Sequence, residues 1–168
     1  MQLPLRLGLV YAALFVGSGA SSPYMPVWFA SQHLNGAQIG LILSAPMLAR
    51  AVTAPGIAMW ADSFKLRRTP LMLLGAGSAV GYALLAVPFG FWWWFGVWFF
   101  ASSLISTMSP LIDVVALRRA RLEGFNYGWP RGIGSAAFIV ANVGAGALVV
   151  RFSPQLVLLW TVIAAGLA

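Results

Sequence analysis

Apolar runs of membrane-crossing length follow one another almost without pause: Leu5 to Phe29, Ala37 to Ala61, Thr69 to Val87, Phe91 to Leu117 and Trp129 to Val150, with a further run from Pro154 to Ala168. A helix needs roughly 20 mostly apolar residues to cross the hydrocarbon of a bilayer. Five runs meet that length, and the last ends before it can span. β-Barrel strands would show period-two alternation over about 10 residues, and no such pattern is present. The expected fold is all-α: a polytopic transmembrane helical bundle of five full spans plus a truncated sixth, with the lipid bilayer as its solvent.

Composition agrees. Of the 168 residues, 61% are hydrophobic and 8% charged, against roughly 25% charged in soluble domains. The net charge of +7 would suggest nucleic acid in a soluble protein, but here the basic residues form short clusters between the runs. Arg6 stands at the start, Lys65, Arg67 and Arg68 fill the second loop, and Arg118, Arg119 and Arg121 fill the fourth. Positive charge accumulates on the cytoplasmic side, so the N-terminus and the even loops are expected inside, with no nucleic-acid partner. Trp28, Trp92, Trp93 and Trp94 near the outer ends of helices one and four read as an interfacial belt.

Pro23, Pro26, Pro46 and Pro55 interrupt helices one and two, and small residues recur in helices three and five. Both features suit kinked, closely packed helices around a path. Ser22-Pro23 and Ser109-Pro110, in helices one and four, hint at a three-plus-three inverted repeat, although no strong internal repeat is visible.

Three ionisable residues fall within the spans: Arg50, Asp113 and Arg131. Each costs at least ~2.5 kcal/mol at the bilayer centre, which favours positions facing a cavity or a partner. Asp113 and Arg131 flank the fourth loop at similar distances, so an antiparallel hairpin sets them at similar depth. Such a pair binds a polar solute through guanidinium donors and a carboxylate acceptor. The competing reading is an interfacial pair that locks the hairpin. Arg50, mid-helix, must find a carbonyl, a water-filled cavity or Asp113, and either lines a path or serves structure. Asp62 closes helix two, where the helix dipole disfavours an anion, so it needs a donor; with Arg67 and Arg68 it forms a candidate gate.

Cysteine is absent and the single histidine, His33, is a loop residue. Glu123 reads as a solvated loop charge. No metal cluster or nucleophile–base pairing is visible, so neither a cofactor nor an enzyme is expected. A pore subunit would lack a recognisable filter.

Three patches resemble the major facilitator superfamily. They are Ser22-Pro23-Tyr24-Met25-Pro26-Val27-Trp28 with Gly36-Ala37-Gln38-Ile39-Gly40; Ala58, Asp62, Arg67 and Arg68 around the second loop; and Tyr127-Gly128, Arg131 and Gly134-Ser135-Ala136-Ala137-Phe138. The last is similar to the lactose permease and phenylpropionate permease branch of proton symporters. The loop departs from the superfamily signature at Ala58, Ser63 and Lys65. The resemblance implies that residues 1–168 are the N-terminal six-helix half of a transporter in a cell membrane, such as a bacterial inner membrane, incomplete at its C-terminus and lacking its C-terminal half. It further implies that Asp113, Arg131 and Arg50 contact a small polar or anionic solute, that Asp62, Arg67 and Arg68 gate, and that a proton is the coupling ion. The alternative expectation is a truncated remnant or membrane scaffold subunit with no transport of its own.

Overall fold

The computed structural model describes residues 3–65 and 68–167. Six helices follow in order: α1 Leu3–Ser31, α2 Gly36–Asp62, α3 Arg68–Leu84, α4 Phe91–Glu123, α5 Gly128–Arg151 and α6 Gln155–Leu167. Four of them, α1, α2, α4 and α5, are long and apolar enough to cross a membrane. No strand occurs among the described residues.

The ends have local causes. Asn35 starts α2 with a capping box: its side chain accepts from the Gln38 N–H at 2.9 Å, and its own N–H donates to Gln38 Oε1 at 3.0 Å. α3 stops at Leu84, before the expected Val87, because Leu85, Ala86 and Val87 donate to carbonyls three residues back in a tightened last turn. Pro88 then has no N–H to continue it. Gly124 ends α4 with φ +70°, a left-handed conformation that costs glycine little.

α4 runs six residues past the expected Leu117, and this corrects the charge assignment. Arg118, Arg119 and Arg121 lie on its last turns rather than in a loop. Nothing between Leu117 and Gly124 breaks a helix, arginine, leucine and alanine are good helix formers, and cations suit a helix C-terminus. Glu123 is therefore a helix residue too, paired with Arg119 at 3.3 Å one turn back. Both side chains are well exposed, so the pair contributes little.

α1 packs along α5 and then against α6, α4 packs against α2 and α3, and α3 packs against α6. Exchanging α1 with α4, α2 with α5 and α3 with α6 maps these main pairings onto themselves, the relation the two Ser-Pro dipeptides hinted at. The α1–α5 seam is close because small residues face it. A Cβ on Gly134 would come 2.8 Å from Tyr11 Cβ and 2.9 Å from Phe15 Cδ2, and one on Gly19 would come 2.5 Å from the Phe138 carbonyl oxygen.

Two apolar clusters fill the bundle. One gathers Met25, Trp28, Phe29, Ile42, Tyr82 and Leu85 with Trp94 and Trp98; the other gathers Tyr11, Leu14, Leu74, Met108, Ile112 and Ala116. The first cluster corrects the tryptophan belt. Trp28 and Trp94 are core residues whose rings meet edge to face at 6.1 Å. The Trp94 indole N–H donates to the Leu85 carbonyl and that of Trp93 to the Leu84 carbonyl, both at 3.0 Å, which ties α4 to the end of α3. Only Trp92 of the four is largely exposed, at 76%. A tryptophan run on a helix must send successive rings in different directions, so one face alone can meet the interface.

Candidate functional site

Asp113 and Ser109 lie one turn apart on the same face of α4. Arg131 occupies the first turn of α5, which the short connection 124–127 returns antiparallel beside the end of α4. Asp113 and Arg131 meet: Arg131 Nη1 donates to Asp113 Oδ1 at 2.9 Å and to Ser109 Oγ at 3.2 Å. The expectation that the pair shares one depth on neighbouring helices is met.

Two phenols complete the cluster. Tyr11 of α1 donates its hydroxyl to Asp113 Oδ1 at 2.5 Å, and Tyr127 donates to the same oxygen at 2.8 Å. Three donors thus converge on one carboxylate oxygen, while Oδ2 accepts no bond among the described residues. The Arg131 guanidinium carbon lies 4.9 Å from the Phe15 ring centre and 5.4 Å from that of Tyr11, within cation–π range. Burial first, and the Asp113 carboxylate second, push the Tyr127 phenol above its ordinary range, so it remains a donor.

The pair is neither dry nor fully exposed: the side chains of Arg131 and Asp113 are 36% and 27% accessible. A guanidinium and a carboxylate so placed at membrane depth present charge-assisted donors and an acceptor to whatever covers that face.

Arg50 of α2 does not reach Asp113. Its Nη2 donates to the Ser106 carbonyl of α4 at 3.3 Å, and the residue is exposed. Asp62 ends α2, exposed and engaged in an interaction, while Arg68, also exposed, begins α3. Arg67 lies outside the described residues. The structure therefore brings Asp113 and Arg131 together, ties Arg50 of α2 to the same helix α4 through a different acceptor, and leaves Asp62 and Arg68 at the α2–α3 junction.

Sequence reasoning missed Tyr11, Tyr127 and Ser109. A phenol within an apolar span must place its hydroxyl somewhere, which was the available signal for Tyr11. A cavity of about 410 Å³ opens between the start of α1 and the α4–α5 turn, lined by Pro4, Leu5, Phe125, Asn126, Trp129 and Ile133. Its lining is largely apolar, and neither Asp113, Arg131 nor Arg50 borders it. No group of three metal-ligating side chains occurs among the described residues.

Comparison with known proteins matches the profile of the MFS_1 like family over residues 5–168. The chain is 31% identical to the maltose permease of Geobacillus stearothermophilus over 83% of this chain and 36% of that protein. It is 27% identical to the probable 3-phenylpropionic acid transporter of Escherichia coli (strain K12), over 90% of this chain and 40% of that one. It is 30% identical to the uncharacterized transporter YwbF of Bacillus subtilis (strain 168), over 86% of this chain and 36% of that one. The chain thus spans well under half the length of these relatives. No solved structure gives a significant match. The chain belongs to the MFS_1 like family and is a multi-pass membrane protein related to transporters.

Proposed function

We propose that this member of the MFS_1 like family acts in secondary active transport of a small polar or anionic solute by proton-coupled symport. Residues 1–168 would form an N-terminal half-domain, and α2 and α5, which bury the least of their surface here, would meet a second half across the pathway. The bacterial inner membrane, with the N-terminus in the cytoplasm, is the setting that the basic clusters favour.

The observation that carries this reading is the Asp113–Arg131 pair at 2.9 Å, joined by Tyr11 from α1 and flanked by Ser109. Three helices converge on it. Arg131 offers a solute oxygen the donors that Nη1 does not use, and Asp113 Oδ2 offers an acceptor to a solute hydroxyl or to a proton. Arg50 extends the positive lining along α4. Asp62 and Arg68, at the α2–α3 junction, would serve as the gate together with Arg67. The relatives named for maltose and for 3-phenylpropionic acid mark a neutral sugar and an aromatic acid as the first solutes to try.

Uptake of labelled 3-phenylpropionate and of maltose by cells expressing the protein, with and without Arg131→Ala, tests the reading. Loss of uptake at normal membrane abundance is expected. Unchanged uptake in the variant refutes the role of Arg131, and lack of proton dependence refutes symport.

A further inference from the structure

Arg50 is held by an acceptor that α4 cannot use itself. Pro110 lies within α4 and has no N–H. The carbonyl four residues earlier is that of Ser106, so it lacks its intrahelical donor. The Arg50 Nη2 supplies one from α2 at 3.3 Å, a long bond to a neutral acceptor.

The depth of Arg50 matters. At 1.5 Å per residue it stands about 21 Å from the start of α2 and about 18 Å from its end. That is too deep for headgroup phosphates to reach, and an exposed guanidinium there is among the costliest groups to leave against lipid. Arg131 reaches α4 from another helix, through Ser109. Ser106 and Ser109 are three residues apart, adjacent on one face and about 4.5 Å apart along the axis. Two guanidinium groups, from α2 and from α5, therefore engage the same stretch of α4. Asp113 is the one acid beside them among the described residues: Asp62 ends α2 and Glu123 pairs with Arg119. The formal balance on this face is one net positive charge.

We propose that Arg50 and Arg131 are the two arms of a clamp for a mono-anionic organic carboxylate, which Arg50 takes up in exchange for the Ser106 carbonyl. This rests on the transport reading for the identity of the face and goes further in naming the solute class and the residue that selects it. A carboxylate matches the guanidinium fork and forms charge-assisted bonds that a single backbone carbonyl cannot equal. One negative charge cancels the net charge of the face. A dianion leaves an excess negative charge beside Asp113, and a neutral solute leaves the positive charge uncompensated in a low-dielectric setting. The Pro110-freed carbonyl is the acceptor that Arg50 must leave when the anion arrives, so this bond competes with anion binding.

The test is equilibrium binding to the full chain in nanodiscs of zwitterionic lipid, with benzoate, its neutral isostere benzamide and the dianion succinate as probes. Benzoate is expected to bind about tenfold more tightly than either. Arg50→Gln is expected to erase the preference over benzamide, and Arg50→Lys to retain part of it. Pro110→Ala keeps every charge and returns an N–H to the Ser106 carbonyl, so benzoate affinity should rise. Absent benzoate binding, equal binding of benzamide, an unchanged preference in Arg50→Gln, or weaker binding in Pro110→Ala overturns the clamp. Displacement of benzoate by anionic phosphatidylglycerol in the disc overturns it in favour of a lipid headgroup. Binding is read here without transport, so failed uptake bears on the transport reading alone and charge-blind binding on the clamp alone.

Discussion

The Tyr11 hydroxyl of α1 stands 2.5 Å from Asp113 Oδ1 of α4, a bond between residues 102 positions apart. It joins the helix that packs most along α5 to the helix that carries the acid, so the α1–α5 seam and the charged cluster are mechanically one unit.

Removing that hydroxyl tests the unit. Tyr11→Phe leaves the carboxylate one donor short without changing the ring that lies beside Arg131. The expected loss is about 1–2 kcal/mol of stability, the scale for a hydrogen bond to a charged group. Thermal unfolding in detergent, followed by circular dichroism, measures it, and an unshifted Tm would remove Tyr11 from the cluster.

The seam itself is tested at Gly134. A valine there meets Tyr11 and Phe15 at once, and overpacking costs about 1–3 kcal/mol. Gly132, on the same helix, has nothing within 4 Å of its would-be Cβ. Gly132→Val is expected to stay within about 1 kcal/mol of the parent, allowing for its surface position. Denaturant titrations of the two variants should separate clearly.

Asp113→Asn and Arg131→Gln should not add. Each alone leaves a partly buried group without its partner, and the double variant removes both. With side chains 36% and 27% accessible, solvent screens the pair, so a coupling of about 1 kcal/mol is expected from the double-mutant cycle. Additive losses would mean that the two charges do not sense one another.

Alkaline stability follows from Tyr127. Its folded phenol is raised above the ordinary value of 10.0, mainly by burial and then by the Asp113 carboxylate. Below that value both folded and unfolded phenols are protonated and the contribution is intact. Above it the unfolded chain releases the proton first, so stability is lost as pH rises. Tyr127→Phe is expected to make the decline above pH 10 shallower, as read from Tm against pH.

The spans were legible in the sequence because hydropathy acts locally, and Asn35 and Pro88 mark two of the breaks in the same local way. The Asp113–Arg131 pair was legible for a related reason: a short hairpin makes depth countable from its turn. Tyr11 was not, since its partner lies on a helix far along the chain and no periodicity records which way a phenol turns. The acceptor of Arg50 required knowing that α2 lies against α4, although Pro110 had marked the free carbonyl. Helix α4 outran its apolar stretch because arginine ends hydropathy without ending a helix.

The central claim is that the face carrying Asp113 and Arg131 is wet. The chain contains no cysteine, so single cysteines report without background. Ser109→Cys, beside the pair, and Val80→Cys, exposed on α3, are compared for reaction in membranes with a charged, water-soluble methanethiosulfonate, which needs the hydrated thiolate. Rapid labelling at 109 with an inert 80 is the predicted result. Equal inertness at both positions would contradict the account.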